Sequence, residues 1–271
     1  MGPGMGEKSA AIDMLNSPLT STLLSSTHVS LLRGALQHVP RGTLLGARGT
    51  PSLSHGAARS RALSTSTRTE LLRGALEHVP RHGWSDAALV ASASHRSLSP
   101  AVVGLCPRGP VELVEHFVEQ SNRELALALA ARSGELGAMA PRDVLRLAVR
   151  LRLEMLTPVL NTWPQALLLQ GLPPNAPRAL SQAALMLDEV WRAAGDRSTD
   201  HGWYVKRALL AGVYGSTELF MVADMSPACR DTWAFLDRRL DDSLACAGAI
   251  GAVESAAGLA AAGGLVALRK L

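Results

Sequence analysis

Pro110-Val-Glu-Leu-Val-Glu-His-Phe-Val-Glu-Gln-Ser-Asn-Arg-Glu-Leu-Ala-Leu-Ala-Leu-Ala-Ala-Arg132 decides the fold class. Its apolar residues return every three or four positions, through Val111, Val114 and Val118 and through Leu113 and Phe117. Glu112, Glu115, His116 and Glu119 fall between them. That is the period of an amphipathic helix, not the alternation of a strand. The same reading holds in both directions from Thr69 onward, so the class is all-α.

Proline punctuates the chain. Thr69 or Glu70 to about Val79 reads as an amphipathic helix stopped by Pro80, and Ser85 as the N-cap of an Ala-rich helix ending near His95. Ser99-Pro100 starts a third helix, with Pro where its missing N–H costs nothing. These three make a helix-turn-helix-like head. Longer helices are expected over 110–132, 141–156, 178–194, 200–224 and 227–247, divided by Pro141, Pro158, Pro173-Pro174 and Pro227. Their apolar stripes require mutual burial, which a helix bundle provides.

The net charge of +4 is uneven: residues 1–69 carry seven Lys/Arg against two acids, and the remainder 20 against 21. The foldable part is near neutral, which weakens a nucleic-acid reading. The Ser-, Thr- and Arg-rich start has the composition of an organellar transit peptide, mitochondrial or chloroplast, with processing expected near Leu63. Three scattered cysteines, Cys106, Cys229 and Cys246, indicate neither a disulfide framework nor a zinc site. Leu31–Arg41 recurs as Leu71–Arg81 with only Gln37 and Glu77 differing, which is too few copies for a solenoid. Residues 248–271 are Ala/Gly-rich and close on Arg269-Lys270; they read as an interfacial helix or as a packed C-terminal one.

No GxSxG, HExxH, phosphate-binding glycine loop or dinucleotide fingerprint is found, so no catalytic residue is assigned. Glu112, Glu115, His116 and Glu119 lack the paired spacing of a di-iron bundle and read as a solvated face, with no metal site. Ser99-Pro-Ala-Val-Val-Gly-Leu105 offers no base-reading side chain, which argues against DNA binding.

Several segments carry a resemblance: His82-Gly-Trp-Ser-Asp-Ala-Ala88, Leu113–Asn122, Trp163-Pro-Gln-Ala-Leu167, Ala194-Gly-Asp-Arg-Ser-Thr-Asp200, Trp203-Tyr, Leu210-Ala-Gly-Val-Tyr214, Ser216-Thr-Glu-Leu219 and Asp231-Thr-Trp-Ala-Phe-Leu236. In this order they resemble the lipid-binding accessory proteins of mitochondrial ubiquinone (coenzyme Q) biosynthesis. The resemblance implies a TetR-like helical bundle with a C-terminal amphipathic helix at the inner-membrane surface, on the matrix side of the mitochondrion. It implies a transit peptide over 1–63, a lipid-binding domain over 64–247 and a membrane-contacting helix over 248–271. No cofactor is implied; the ligand is an isoprenoid or phospholipid. The implied partners are the di-iron demethoxyubiquinone hydroxylase and the coenzyme Q biosynthetic complex, with no nucleic acid, and a homodimer stays open. A TetR-type DNA-binding regulator is the alternative.

The pocket candidates are Leu153, Leu156, Leu160, Leu167, Met186, Val190, Leu209, Val213 and Phe220, joined by Leu185 and Leu219. Read alone, these are also ordinary core. For the hydroxylase-binding patch the resemblance points to Trp203, Tyr204, Arg207, Met225 and Trp233, which buried aromatics explain equally well. Glu218 is expected to pair with Arg207 or Lys206.

Overall fold

The computed structural model describes residues 54–197 and 201–248, with side chains placed for 64–197 and 202–248. Residues 1–53, which hold most of the expected transit segment and the first repeat copy, lie outside this range, as does the C-terminal segment 249–271. The described chain is all-α, with no strand among the described residues.

Helix α1 spans Ser54–His82, α2 Asp86–His95, α3 Pro110–Ala131, the single turn α4 Ser133–Leu136, and α5 Pro141–Glu154. After these come α6 Trp163–Gly171, α7 Ala176–Ala193 and α8 His201–Ala223, and residues 230–248 form α9. Short 3-10 helices lie at Pro100–Leu105, Thr157–Thr162 and Pro227–Cys229. Proline occupies the start of most of these elements, where it has no bond to lose. Of the described residues, 54–128 with 151–183 form one compact unit and 129–150 with 184–248 another.

Three expectations change. Helix α1 is far longer than the amphipathic segment from Thr69, because no Gly or Pro interrupts the chain between Ala57 and Arg73. The expected boundary near residue 63 therefore falls inside α1. Pro80 does not stop the helix. Placed in the last turn it removes a single backbone bond, and the helix closes two residues later where Gly83 N donates to Val79 O at 2.8 Å. The third head helix is instead the six-residue 3-10 helix Pro100–Leu105, whose two valines and Gly104 disfavour a longer α-helix.

In the first unit, α1 buries Leu71, Leu72, Ala75 and Val79, spaced three and four apart, and α2 buries Ala88, Leu89 and Ala93. Each leucine so buried contributes roughly 1.5–3 kcal/mol. Ser92 Oγ donates to Leu71 O at 2.9 Å, bringing the two helices close at Gly74, where a Cβ would lie 2.6 Å from Ser92 Oγ. Trp84, Phe117 and Trp163 meet edge-on or tilted with centroids 5.5–5.7 Å apart. Gln165 clamps them: its Oε1 accepts from Trp84 N at 2.9 Å and its Nε2 donates to Trp84 O at 3.1 Å. Gly83, at φ +66°, must be glycine there, since a Cβ would meet Gln165 Oε1 at 2.5 Å.

In the second unit, Phe220 of α8 stacks on Phe235 of α9 at 4.5 Å. Arg142 and Arg146 of α5 reach Asp237 and Asp241 of α9, with Arg146 Nε donating to Asp237 at 2.6 Å and Arg142 Nε to Asp241 at 2.7 Å. The Arg142 pair holds the exposed Asp241 carboxyl below its ordinary range.

Candidate functional site

The helical period divides α8 into two faces. Arg207, Leu210, Val213, Thr217, Phe220 and Met221 turn inward, and Tyr204, Gly212 and Leu219 lie on the solvent side. Tyr204 is 42% exposed and Met225, just past the helix, 72%. A Cβ at Gly212 or Gly215 would meet nothing within 4 Å, so the middle of this outer face is open and flat.

Arg207 braces the first turn of α8 from beneath. Its Nε and Nη2 donate to Asp188 Oδ1 of α7 at 3.0 and 2.7 Å, and its Nη1 donates to Asp196 Oδ2 at 3.0 Å. Its guanidinium carbon lies 4.2 Å from the centre of the Trp203 ring. Lys206 Nζ donates to the same Asp196 at 2.7 Å, and Trp191 Nε1 donates to Lys206 O at 3.1 Å. Burial would raise the Asp188 carboxyl, but the bonds from Arg207 and Arg192 outweigh it and hold that carboxyl below its ordinary value.

This corrects two expectations. Arg207 is 4% exposed, so its charge is used inside the protein and it supports the surface instead of forming it. Arg207 and Lys206 pair with Asp188 and Asp196, while Glu218 accepts from Tyr214 Oη at 3.1 Å. Asp188 and Asp196 were not legible as site residues. The only signal was the place of Asp196 in the Ala194–Asp200 segment.

At the far end of α8, Asp224 organises the corner into α9. Its carboxylate accepts from Ser226 N at 2.7 Å, Thr232 N at 2.9 Å and Thr232 Oγ1 at 2.5 Å. Trp233 is fixed from two sides: its Nε1 donates to Ala228 O at 3.0 Å, and the Arg150 guanidinium lies 4.8 Å from its ring centre. Trp203 and Tyr204 thus sit at one end of α8 and Met225 and Trp233 at the other, roughly 28 Å apart at 1.5 Å per residue. A partner touching both must lie along the whole helix, which is the width of a standard protein interface.

The pocket candidates divide between the units. Leu153, Leu156, Leu160 and Leu167 belong to the unit containing α1; Met186, Val190, Leu209, Val213 and Phe220 belong to the unit containing α8. Leu153, Leu156, Met186, Val190, Val213 and Phe220 are buried, and Leu160, Leu167 and Leu209 half-buried. Leu185 and Leu219 are corrections, because both are exposed on the outer sides of their helices.

The α3 carboxylates are a further correction. Glu112 and Glu115 are buried, not solvated. Glu112 is paired with Arg68 and accepts from Arg108 N at 2.8 Å; Glu115 is paired with Arg108 and accepts from Arg178 Nε at 2.8 Å. Both carboxylates are thus committed to arginines. Burial lowers the His116 pKa and raises that of the Cys106 thiol. Among the described residues no group of three or more His, Cys, Asp or Glu is arranged to hold a metal, and no helix is long and apolar enough to cross a membrane.

Comparison with known proteins falls on these same elements. The COQ9 family model matches residues 176–247, which take in α7, α8 and α9. "Ubiquinone biosynthesis protein COQ9, mitochondrial" of Rattus norvegicus is 42% identical over 168 residues, 60% of this chain and 54% of that protein. Its counterpart in Homo sapiens is 41% identical over 168 residues, 60% and 53% respectively. The Drosophila melanogaster protein of the same name is 38% identical over 164 residues, 60% and 50%. The matched region spans about half the length of these relatives. The resemblance to proteins of mitochondrial ubiquinone biosynthesis is borne out over the matched region.

Proposed function

We propose that this chain, whose α7–α9 region is of COQ9 type, is a non-enzymatic accessory protein of ubiquinone biosynthesis. It binds an isoprenoid or quinone lipid and presents the precursor to the di-iron demethoxyubiquinone hydroxylase. It works at the matrix side of the mitochondrial inner membrane, as a peripheral protein. The likeness to COQ9 proteins of mitochondrial ubiquinone biosynthesis, over 168 residues of the chain and with the family model on α7–α9, supports this reading.

The physical case has two parts. A polyprenyl chain left in water costs roughly 0.8 kcal/mol per methylene, so a carrier with an apolar interior favours its transfer. The α8 face, with Tyr204 exposed beside a braced Trp203 at one end and Met225 exposed at the other, has the aromatic and Met content typical of docking surfaces. The six-residue 3-10 helix Pro100–Leu105 offers no base-reading side chain, which leaves the DNA-binding alternative without support.

The test is native mass spectrometry with lipid extraction on the full chain, alone and mixed with the matching hydroxylase. Co-purified isoprenoid or phospholipid and a stable complex are expected. A lipid-free protein that ignores the hydroxylase overturns the proposal.

A further inference from the structure

Arg152 stands near the end of α5, in the unit formed by residues 54–128 and 151–183. It is 2% exposed. Its hydrogen bonding is a single contact, from Nε to Asn122 Oδ1 at 3.1 Å, and its Nη1 is buried with no partner. Among the described residues no carboxylate pairs with it. The contrast with the other deeply buried charges is sharp: Arg207 has Asp188 and Asp196, and Glu112 and Glu115 have three arginines between them.

The neighbouring amides are already engaged. Asn122 Nδ2 donates to Gln182 O at 3.0 Å, and Gln182 Nε2 donates to Glu115 O at 3.0 Å. Arginine does not shed its proton in proteins, so this charge persists in the interior. A buried charge without a counter-charge is costly. Water satisfies the N–H but leaves the charge; an oxyanion satisfies both, through the paired bonds a guanidinium fork makes. Leu153 and Leu156, one and four residues further along the chain, are both fully buried, so Arg152 stands in an apolar stretch of the core.

We propose that Arg152 anchors the oxyanion head, phosphate or phenolate, of an apolar-tailed ligand bound in this unit. The inference rests on the lipid-binding reading above and adds to it the head-group chemistry and the residue that recognises it.

The experiment uses the full chain, delipidated, and three probes with one tail: geranylgeranyl phosphate, a geranylgeranyl-substituted phenol, and geranylgeraniol. Wild type is expected to bind the phosphate or the phenol at least tenfold more tightly than the alcohol. Arg152→Met should abolish that preference and keep the affinity for the alcohol. Preference for the phosphate assigns a phospholipid-type head, and preference for the phenol a quinone-precursor head; either supports the anchor. Equal binding of all three by wild type overturns it while leaving the lipid-binding reading intact. So does Arg152→Met weakening all three alike, the signature of a merely structural arginine. Binding of none of the three overturns the lipid-binding reading itself. Should Arg152→Met not fold, Arg152→Gln carries the same comparison.

Discussion

Arg207 and Trp203 lie one helical turn apart, with the guanidinium 4.2 Å from the indole centre and its N–H groups on Asp188 and Asp196. Removing the arginine leaves Asp196 to Lys206 and Asp188 to Arg192, and releases Trp203 at the same time. Arg207→Ala is expected to cost about 3 kcal/mol of stability, the lower end for breaking a buried pair, since Asp188 retains some solvent. Arg207→Lys keeps the charge but not the fork, and should fall between. Urea unfolding measures both; equal stability of Arg207→Ala and wild type sinks the assignment.

Tyr204→Ala and Met225→Ala change exposed side chains and should stay within about 0.5 kcal/mol of wild-type stability. Each is expected to weaken hydroxylase binding about tenfold, which is about 1.4 kcal/mol. Because the two lie at opposite ends of α8, their effects should add. Leu168→Ala, which removes an exposed leucine of α6, is the control and should leave binding unchanged. Calorimetric titration against the hydroxylase decides the matter.

Two glycine substitutions should have opposite signs. Gly74→Ala drives a methyl to 2.6 Å from Ser92 Oγ and 2.9 Å from Arg96 Nε, and should destabilise by about 1–3 kcal/mol. Gly212→Ala adds a methyl to open space on α8 and should stabilise by about 0.5–1 kcal/mol. Melting temperatures of the two variants provide the check.

Acid should unfold the protein in two stages. Burial holds His116 below its ordinary 6.5, so below that pH the unfolded chain binds the proton more readily and stability falls with pH. The carboxyls of Asp188 and Asp224 lie below 3.8 when folded, as bonds from Arg207 and Arg192, and from Thr232 and Ser226, outweigh their burial. Their contribution is present above the unfolded value and is lost as pH falls through the folded one. His116→Gln should flatten urea midpoints between about pH 7 and pH 5 and leave the fall below about pH 4 unchanged. An unaltered slope in His116→Gln would assign the first stage to another group.

The helices from α3 onward were legible because proline and apolar spacing are local signals. Pro110 and Pro141 begin the helices the sequence placed there, and Pro227 opens the short 3-10 helix that leads into α9. Helix α6 escaped, although Trp163-Pro164 marks its start, because its nine residues show little amphipathic contrast. The α3 carboxylates were misread for a different reason. Glu112 and Glu115 occupy the charged positions between the apolar residues of the helical period, and their burial depends on Arg68 and Arg178 arriving from α1 and α7. Arg207 was misread likewise, since helical spacing puts it on a face but does not tell that Asp188 and Asp196 wait there.

Glu115 takes its partners from both sides, Arg108 seven residues earlier and Arg178 far downstream. The unit it belongs to is interrupted, its first part ending at residue 128 and its second beginning at 151. A chain emerging N-terminus first, from a ribosome or through a translocation channel, exposes α1 to α3 before Arg178 exists to complete this cluster. During that interval Glu115 has only Arg108 to offset its desolvation, and α3 cannot settle into its final burial. This unit can therefore be completed only once residues 151–183, with the start of α7 among them, are available to it.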